Sequence, residues 1–284
     1  MMYTEQERTV SAETRITTQE EIIMYLESME NAYSLKGKNC IVTGGAKGIG
    51  LGITTAFAHQ GANVAIFARD EAAAKKVIEE FSAKYEGEFT FYRADVGNTA
   101  SCREAVDAYM RDHDRIDVLV NNAGIGTAGR FVDMDEELTD WFECFNVDLH
   151  GAARMCYSVL KYMRKQGSGH IVNITSNAGE IINKPFLTAY ASSKAAFNHF
   201  TKCLAAEVAP DGIRVNAIAP GFTFSNFTKN MPEEAYVELC KDVPIGRFAQ
   251  AFEIGALAAY LAGDISDIVT GAVFTADGGY VLQH

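Results

Sequence analysis

The sequence has little of what marks a secreted, membrane-bound or nucleic-acid-binding protein. Its six cysteines (Cys40, Cys102, Cys144, Cys156, Cys203 and Cys240) are scattered without a CxxC pair. A chain of 284 residues does not depend on disulfide staples, so reduced thiols and a cytoplasmic location are expected. Residues 1–35 carry seven acidic and two basic side chains, and no apolar run of 18 residues occurs. On that pattern neither a signal-type leader nor a membrane span is expected. Positive charge is also short. The formal net charge is −12 with no basic patch, which disfavours nucleic acid and an anionic membrane as partners. The six histidines (His59, His113, His150, His170, His199 and His284) lack ligand spacing with one another, so no metal site is read.

What the chain does have is apolar content, 48% of residues against 22% charged, enough for one large domain or two small ones. From Leu35 onward short β-branched runs alternate with longer helical stretches. This predicts strands at Asn39–Thr43, Asn63–Ala68, Phe89–Arg93, Val118–Asn121, His170–Thr175, Arg214–Ile218 and Ala272–Thr275. Several of them, such as Ile171-Val172-Asn173-Ile174, are nearly unbroken apolar runs, as expected when helices cover both faces of a parallel sheet. Gly61 and Gly212 stand where helices end in a left-handed residue. The expected fold is therefore α/β, a Rossmann-like doubly wound sheet of seven parallel strands, forming one domain over residues 36–284.

Residues 1–35 read as an extension. Thr18-Gln19-Glu20-Glu21 forms a capping box, and Ile22, Ile23, Leu26 and Met29 make one apolar helical face. The arm either packs on its own domain or straps a neighbouring subunit. Long helices around Glu136–Lys165 and Thr188–Ala209 carry more apolar surface than one sheet face covers, which predicts a homo-oligomer.

Thr43-Gly44-Gly45-Ala46-Lys47-Gly48-Ile49-Gly50 follows the first strand and runs into a helix. Glycines before a helix N-terminus let backbone N–H groups approach a pyrophosphate at the positive end of the helix dipole. Gly44, Gly48 and Gly50 serve that purpose. Further segments fall at later strand ends, where ligands sit in open α/β sheets. They are Asp95-Val96, Asn121-Asn122-Ala123-Gly124 and Pro220-Gly221. At the end of the second strand a carboxylate would accept from ribose hydroxyls, whereas a cation would pair with a 2′-phosphate. Ala68 and Arg69 stand there, so Arg69 and Lys47 favour NADP(H), although Asp70 lies next door.

Tyr190-Ala191-Ser192-Ser193-Lys194 opens a helix, and the i,i+4 spacing puts Tyr190 and Lys194 on one face. A carbonyl that receives a hydride must also receive a proton. A phenol ionises near pH ~10 and exchanges protons near neutrality only where its phenolate is stabilised. A neighbouring ammonium supplies that.

Across residues 36–284 these segments resemble the short-chain dehydrogenase/reductase family. The resemblance implies an NAD(H)- or NADP(H)-dependent enzyme, a dimer or tetramer, interconverting a ketone and a secondary alcohol. It makes Tyr190, Lys194, Ser176 and Asn146 the catalytic set, with Ser176 holding the substrate oxygen and Asn146 anchoring a water beside the lysine. Asp95 would meet the adenine, Asn122, Ala123 and Gly124 would line the cofactor, and Thr223 and Ser225 would meet the nicotinamide end. The full cofactor set is Gly44, Lys47, Gly48, Ile49, Gly50, Arg69, Asp95, Val96, Asn122, Ala123, Gly124, Pro220, Gly221, Thr223 and Ser225, with Tyr190 and Lys194.

The segment from Gly221 to Arg247 is rich in Phe222, Phe224, Phe227, Met231, Tyr236 and Leu239. It reads as an apolar lid or as a helix packed on the core, Pro232 and Pro244 bracketing it. With the N-terminal arm, this resembles gut-bacterial hydroxysteroid dehydrogenases, above all those acting at the side-chain ketone as 20β-hydroxysteroid dehydrogenases. That implies a steroid C20 ketone and NADH, against the charge at Arg69. The alternatives are a reductase of a β-ketoacyl thioester or a sugar-derived ketone, and a catalytically silent nucleotide-binding module.

Overall fold

A computed structural model describes residue 19 and residues 33–283, apart from 182–184, 226–227 and 229–230. The predicted arm helix and Phe227 of the predicted lid lie outside the described residues. The elements in chain order are β1 (Asn39–Thr43), α1 (Gly48–His59), β2 (Asn63–Ala68), α2 (Glu71–Ser82), β3 (Phe89–Arg93), α3 (Thr99–Asp112), β4 (Val118–Asn121) and α4 (Thr139–Phe145). They continue with α5 (Ala152–Gln166), β5 (Gly169–Ile174), α6 (Thr188–Val208), β6 (Ile213–Pro220), α7 (Glu233–Cys240), α8 (Ala251–Ala262) and β7 (Val273–Ala276).

The seven strands are parallel and ordered β3-β2-β1-β4-β5-β6-β7. The order reverses between β1 and β4, so a crevice opens at their carboxyl ends, where open α/β sheets bind ligands. Both faces of the sheet are covered. One core joins Ile53, Phe57, Ile66, Ile174 and Ile254, and the other joins Ile41, Tyr109, Met155, Val159 and Val215. That is why Ile41 and Val42, neighbours on opposite faces of β1, are both 0% exposed. On the first face α1 and α8 are in backbone contact. A Cβ on Gly52 would run into the Ala251 carbonyl, and one on Gly255 into that of Gly52.

The first four strands end where the sequence predicts. The last three differ by up to two residues at an end. Thr175 lies just past β5, its N–H and hydroxyl both donating to the Ile218 carbonyl at 2.8 and 3.0 Å. β6 runs on to Pro220 because Pro220 stays in register with Ala276.

The predicted long helix over Glu136–Lys165 is broken by a wide π turn at Asn146–Gly151 between α4 and α5. Such turns insert one residue into the helical count and recur at functional sites. Asp148, a buried carboxylate, lies within it.

Candidate active site

The glycine loop between β1 and α1 is built to receive an anion. Gly44 and Gly48 adopt φ of +67° and +52°, a region that side chains bearing a Cβ enter at a cost. Lys47 takes the N-cap of α1 without a side-chain cap, and no acidic residue stands in the first turn. The leading N–H groups of α1 are therefore left for a ligand at the positive end of the helix.

Thr43 ties this loop to the next strand. Its hydroxyl accepts from the N–H groups of Asn122 and Ala123 at 2.9 and 3.0 Å, and the Asn122 amide donates to the Thr43 carbonyl at 2.9 Å. The segment after β6 closes from above. A Cβ on Gly48 would sit 3.4 Å from Cβ of Ser225. Thr223 is buried, its hydroxyl donating to the Gly221 carbonyl at 3.0 Å.

Asp95 is half-buried, with one carboxylate oxygen accepting from Gly97 N–H at 3.0 Å. The adjacent Val96 carbonyl accepts from Arg154. At the end of β2 the Arg69 side chain is exposed and has no ion pair among the described residues. Asp70 is occupied. Its carboxylate caps α2 by accepting from Ala73 N–H and meets Lys47 Nζ at 2.5 Å. The lysine holds that carboxyl below the usual range.

Ser176 follows β5 and is buried, its oxygen accepting from Ala178 N–H at 3.2 Å. A hydroxyl that accepts there keeps its own proton to donate. Tyr190 and Lys194 stand one turn apart on α6. Lys194 Nζ lies 5.5 Å from the Tyr190 ring centroid and donates to the Ile174 carbonyl at 3.4 Å.

Asn146 is not the group beside Lys194. Its side-chain amide donates to the Gly97 carbonyl at 3.2 Å, and its side-chain oxygen accepts from Arg154 at 2.8 Å. Arg154 also takes the Asn146 backbone carbonyl at 3.0 Å. The polar side chain that faces Lys194 is Asp148, two residues on, with Oδ2 3.5 Å from Nζ. Asp148 Oδ1 accepts from Ile125 N–H at 2.7 Å. The sequence reading missed Asp148 and Thr43. A carboxylate set between apolar Val147 and Leu149 was the available signal for the first, and a threonine directly before the glycine loop for the second.

Away from the crevice, His170, Asp264 and Asp267 offer ligand atoms within 4.8 Å of one another. Lys38 already pairs with Asp264 at 2.6 Å, and His170 hydrogen-bonds Asp267, holding its carboxyl below the usual range. Lys38 and His170 thus already engage the two carboxylates, at the opposite end of β5.

The uncapped α1 terminus, the left-handed glycines and the Asn122–Gly124 turn together fit a dinucleotide. Comparison with known proteins agrees. A family model described as Enoyl-(Acyl carrier protein) reductase matches residues 44–281. The chain is 37% identical over 246 residues to a 3-oxoacyl-[acyl-carrier-protein] reductase of Chlamydia pneumoniae, covering 87% of this chain and 98% of the relative. It is 38% identical over 258 residues to the oxidoreductase UcpA of Salmonella typhimurium, covering 88% and 97%. The crystal structure of a gluconate 5-dehydrogenase from Burkholderia cenocepacia, in complex with NADP and tartrate, superposes with a TM-score of 0.83. There the identity is 31%, with 89% of this chain and 98% of that one covered.

The chain belongs to the short-chain dehydrogenase/reductase family. It is an oxidoreductase that uses NAD(H) or NADP(H) and interconverts a carbonyl and a CH–OH group. Among the described residues no helix is long and apolar enough to cross a membrane.

Proposed function

We propose that this enzyme reduces a ketone on a large apolar molecule, with NADPH preferred as the hydride source. The observation that carries the substrate class is the aromatic cover after β6. Phe222, Phe224 and Tyr236 gather on buried Phe248 at centroid distances of 5.1, 5.5 and 4.8 Å. Phe224 itself stays 37% exposed beside Ser225, as a group that meets an apolar ligand would.

Two substrates share that chemistry. A 3-oxoacyl thioester is supported by the reductase relatives of 37% identity and above. A steroid C20 ketone is the second reading, favoured by the aromatic cover and by a net charge of −12. An acidic carrier protein would want a basic docking surface instead.

The bound dinucleotide supplies or accepts the hydride. In reduction Ser176 donates a hydrogen bond to the ketone oxygen while Tyr190 delivers the proton from its phenol. Lys194 stabilises the phenolate that remains. In oxidation the same phenolate takes the alcohol proton. The NADPH preference rests on free Arg69 and on Asp70 being held by Lys47 and the α2 cap. Homo-oligomerisation is part of the proposal and is supported by Tyr157, 83% exposed on α5.

A spectrophotometric panel tests this directly, with NADH and NADPH against 3-oxoacyl thioesters, C20-keto steroids and sugar ketones. Turnover with an apolar ketone and NADPH is expected. Turnover confined to sugar ketones would overturn the substrate class, and failure with every ketone would favour a silent nucleotide-binding module.

A further inference from the structure

The Asp148–Lys194 pair lies deeper than the reacting groups. The Asp148 side chain is 0% exposed and the Lys194 side chain 6%. Burial pushes the Asp148 carboxyl up, and the ammonium opposes it. Oδ2 has no hydrogen-bond partner among the described residues, and Lys194 has no other carboxylate partner among them. A buried ammonium without a counter-charge is costly, and so is a buried carboxylate. Each charge is therefore the reason the other is tolerated.

Gly124 makes room for the pair. A Cβ there would lie 3.1 Å from Asp148 Oδ1 and 3.5 Å from Lys194 Nζ. The remaining groups around the pair are few. From α4 comes the Cys144 thiol, which burial pushes up and keeps neutral. From α6 come the Ser193 hydroxyl, donating to the Tyr190 carbonyl at 2.8 Å, and the phenol of Tyr190. From the loop after β4 comes Ile125 N–H. Only Lys194 brings positive charge among them.

We propose that Asp148 is a positioning residue that sets, through Lys194, the pH at which Tyr190 exchanges its proton. The proposal rests on the reading of Tyr190 as the proton carrier. The carboxylate offsets part of the ammonium charge that stabilises the phenolate. Removing the negative charge and keeping the shape leaves the ammonium uncompensated, and the phenolate forms at lower pH. Asp148→Asn does this, since its amide oxygen can still accept from Ile125 N–H.

The test uses the full-length protein saturated with NADP⁺. Tyrosinate absorbance is titrated in the wild type and in Asp148→Asn, each as a difference against its own Tyr190→Phe counterpart, which isolates one tyrosine from the 12 in the chain. The midpoint is expected to fall by about one pH unit in Asp148→Asn. The acid-side limb of kcat/KM for alcohol oxidation should move by the same amount. In a Lys194→Met background the Asp148→Asn shift should vanish, because the two charges act as one unit.

Circular dichroism and NADP⁺ binding establish that the variants are folded, and Asp148→Ser replaces Asp148→Asn if the latter is not. An unmoved midpoint in a folded variant means that the carboxyl is neutral or remote and overturns the proposal. A shift that persists without Lys194 overturns it too, as does failure of both variants to fold, which would make Asp148 a folding determinant. The titration needs no turnover. If Tyr190→Phe remains fully active, it is the reading of Tyr190 that fails, and the titration still reports on Asp148 separately.

Discussion

Lys47 and Asp70 meet at 2.5 Å across the crevice ends of β1 and β2. The pair links the glycine loop to the cap of α2 and engages the acidic group beside Arg69. The proposed NADPH preference has Arg69 pairing with the 2′-phosphate. Arg69→Ala is expected to raise KM for NADPH by about 10-fold, the loss of one charge-assisted contact. KM for NADH should stay within a factor of two or so. Equal effects on both cofactors would show that Arg69 does not read the phosphate.

The α8 N-terminus gives a pH test of stability. Glu253 receives both Arg247 guanidinium nitrogens at 2.8 Å and the Gln250 N–H at 2.7 Å. Its carboxyl falls to about 2, chiefly through the Arg247 hydrogen bonds. A folded value below the unfolded one means that the contribution is present above pH 4.5 and is lost as pH falls toward 2. Because the pair is largely exposed, screening holds it to about 0.5–1 kcal/mol. Glu253→Gln should lower Tm by roughly 1–4 °C at pH 7, with the gap to wild type closing in acid. A constant gap down to pH 2 would contradict the ionic account.

Gly255 is fixed by the backbone contact of α8 with α1. Gly255→Val should destabilise the fold by about 2–3 kcal/mol or more, since Gly52 and Ala56 leave no room for the added carbons. Urea denaturation reads this, and an unchanged midpoint would mean that the helices separate freely.

Thiol labelling checks the cores. Cys203 is exposed, whereas Cys40, Cys102, Cys144 and Cys156 are buried. Burial pushes Cys102 to about 11 and Cys156 to about 12. Iodoacetamide at neutral pH should modify Cys203 first and leave those four intact until unfolding, because the thiolate is the reactive form. Early modification of Cys156 would contradict its placement beneath the sheet.

The sequence carried the sheet well because period and punctuation are local. Apolar runs such as Cys40–Val42 end at glycine or asparagine turns, and their order follows. Tyr190 and Lys194 were legible for the same reason, lying one turn apart on one helix. The partner of Lys194 was not. A uniform helix over Glu136–Lys165 gives no cause to look past Asn146, and Asp148, which faces Lys194, lies in a π turn that apolar periodicity does not reveal. The engagement of Asp70 by Lys47 is not legible either, since it joins residues 23 apart in sequence.

The central claim is that Tyr190 moves the proton while the dinucleotide carries the hydride. Its most direct test is single-turnover reduction of a substrate ketone by Tyr190→Phe loaded with NADPH. The account predicts unchanged NADPH binding and a fall in the hydride-transfer rate of about 10²–10⁴-fold, the range for losing a general acid. A rate close to wild type, with binding intact, would contradict it.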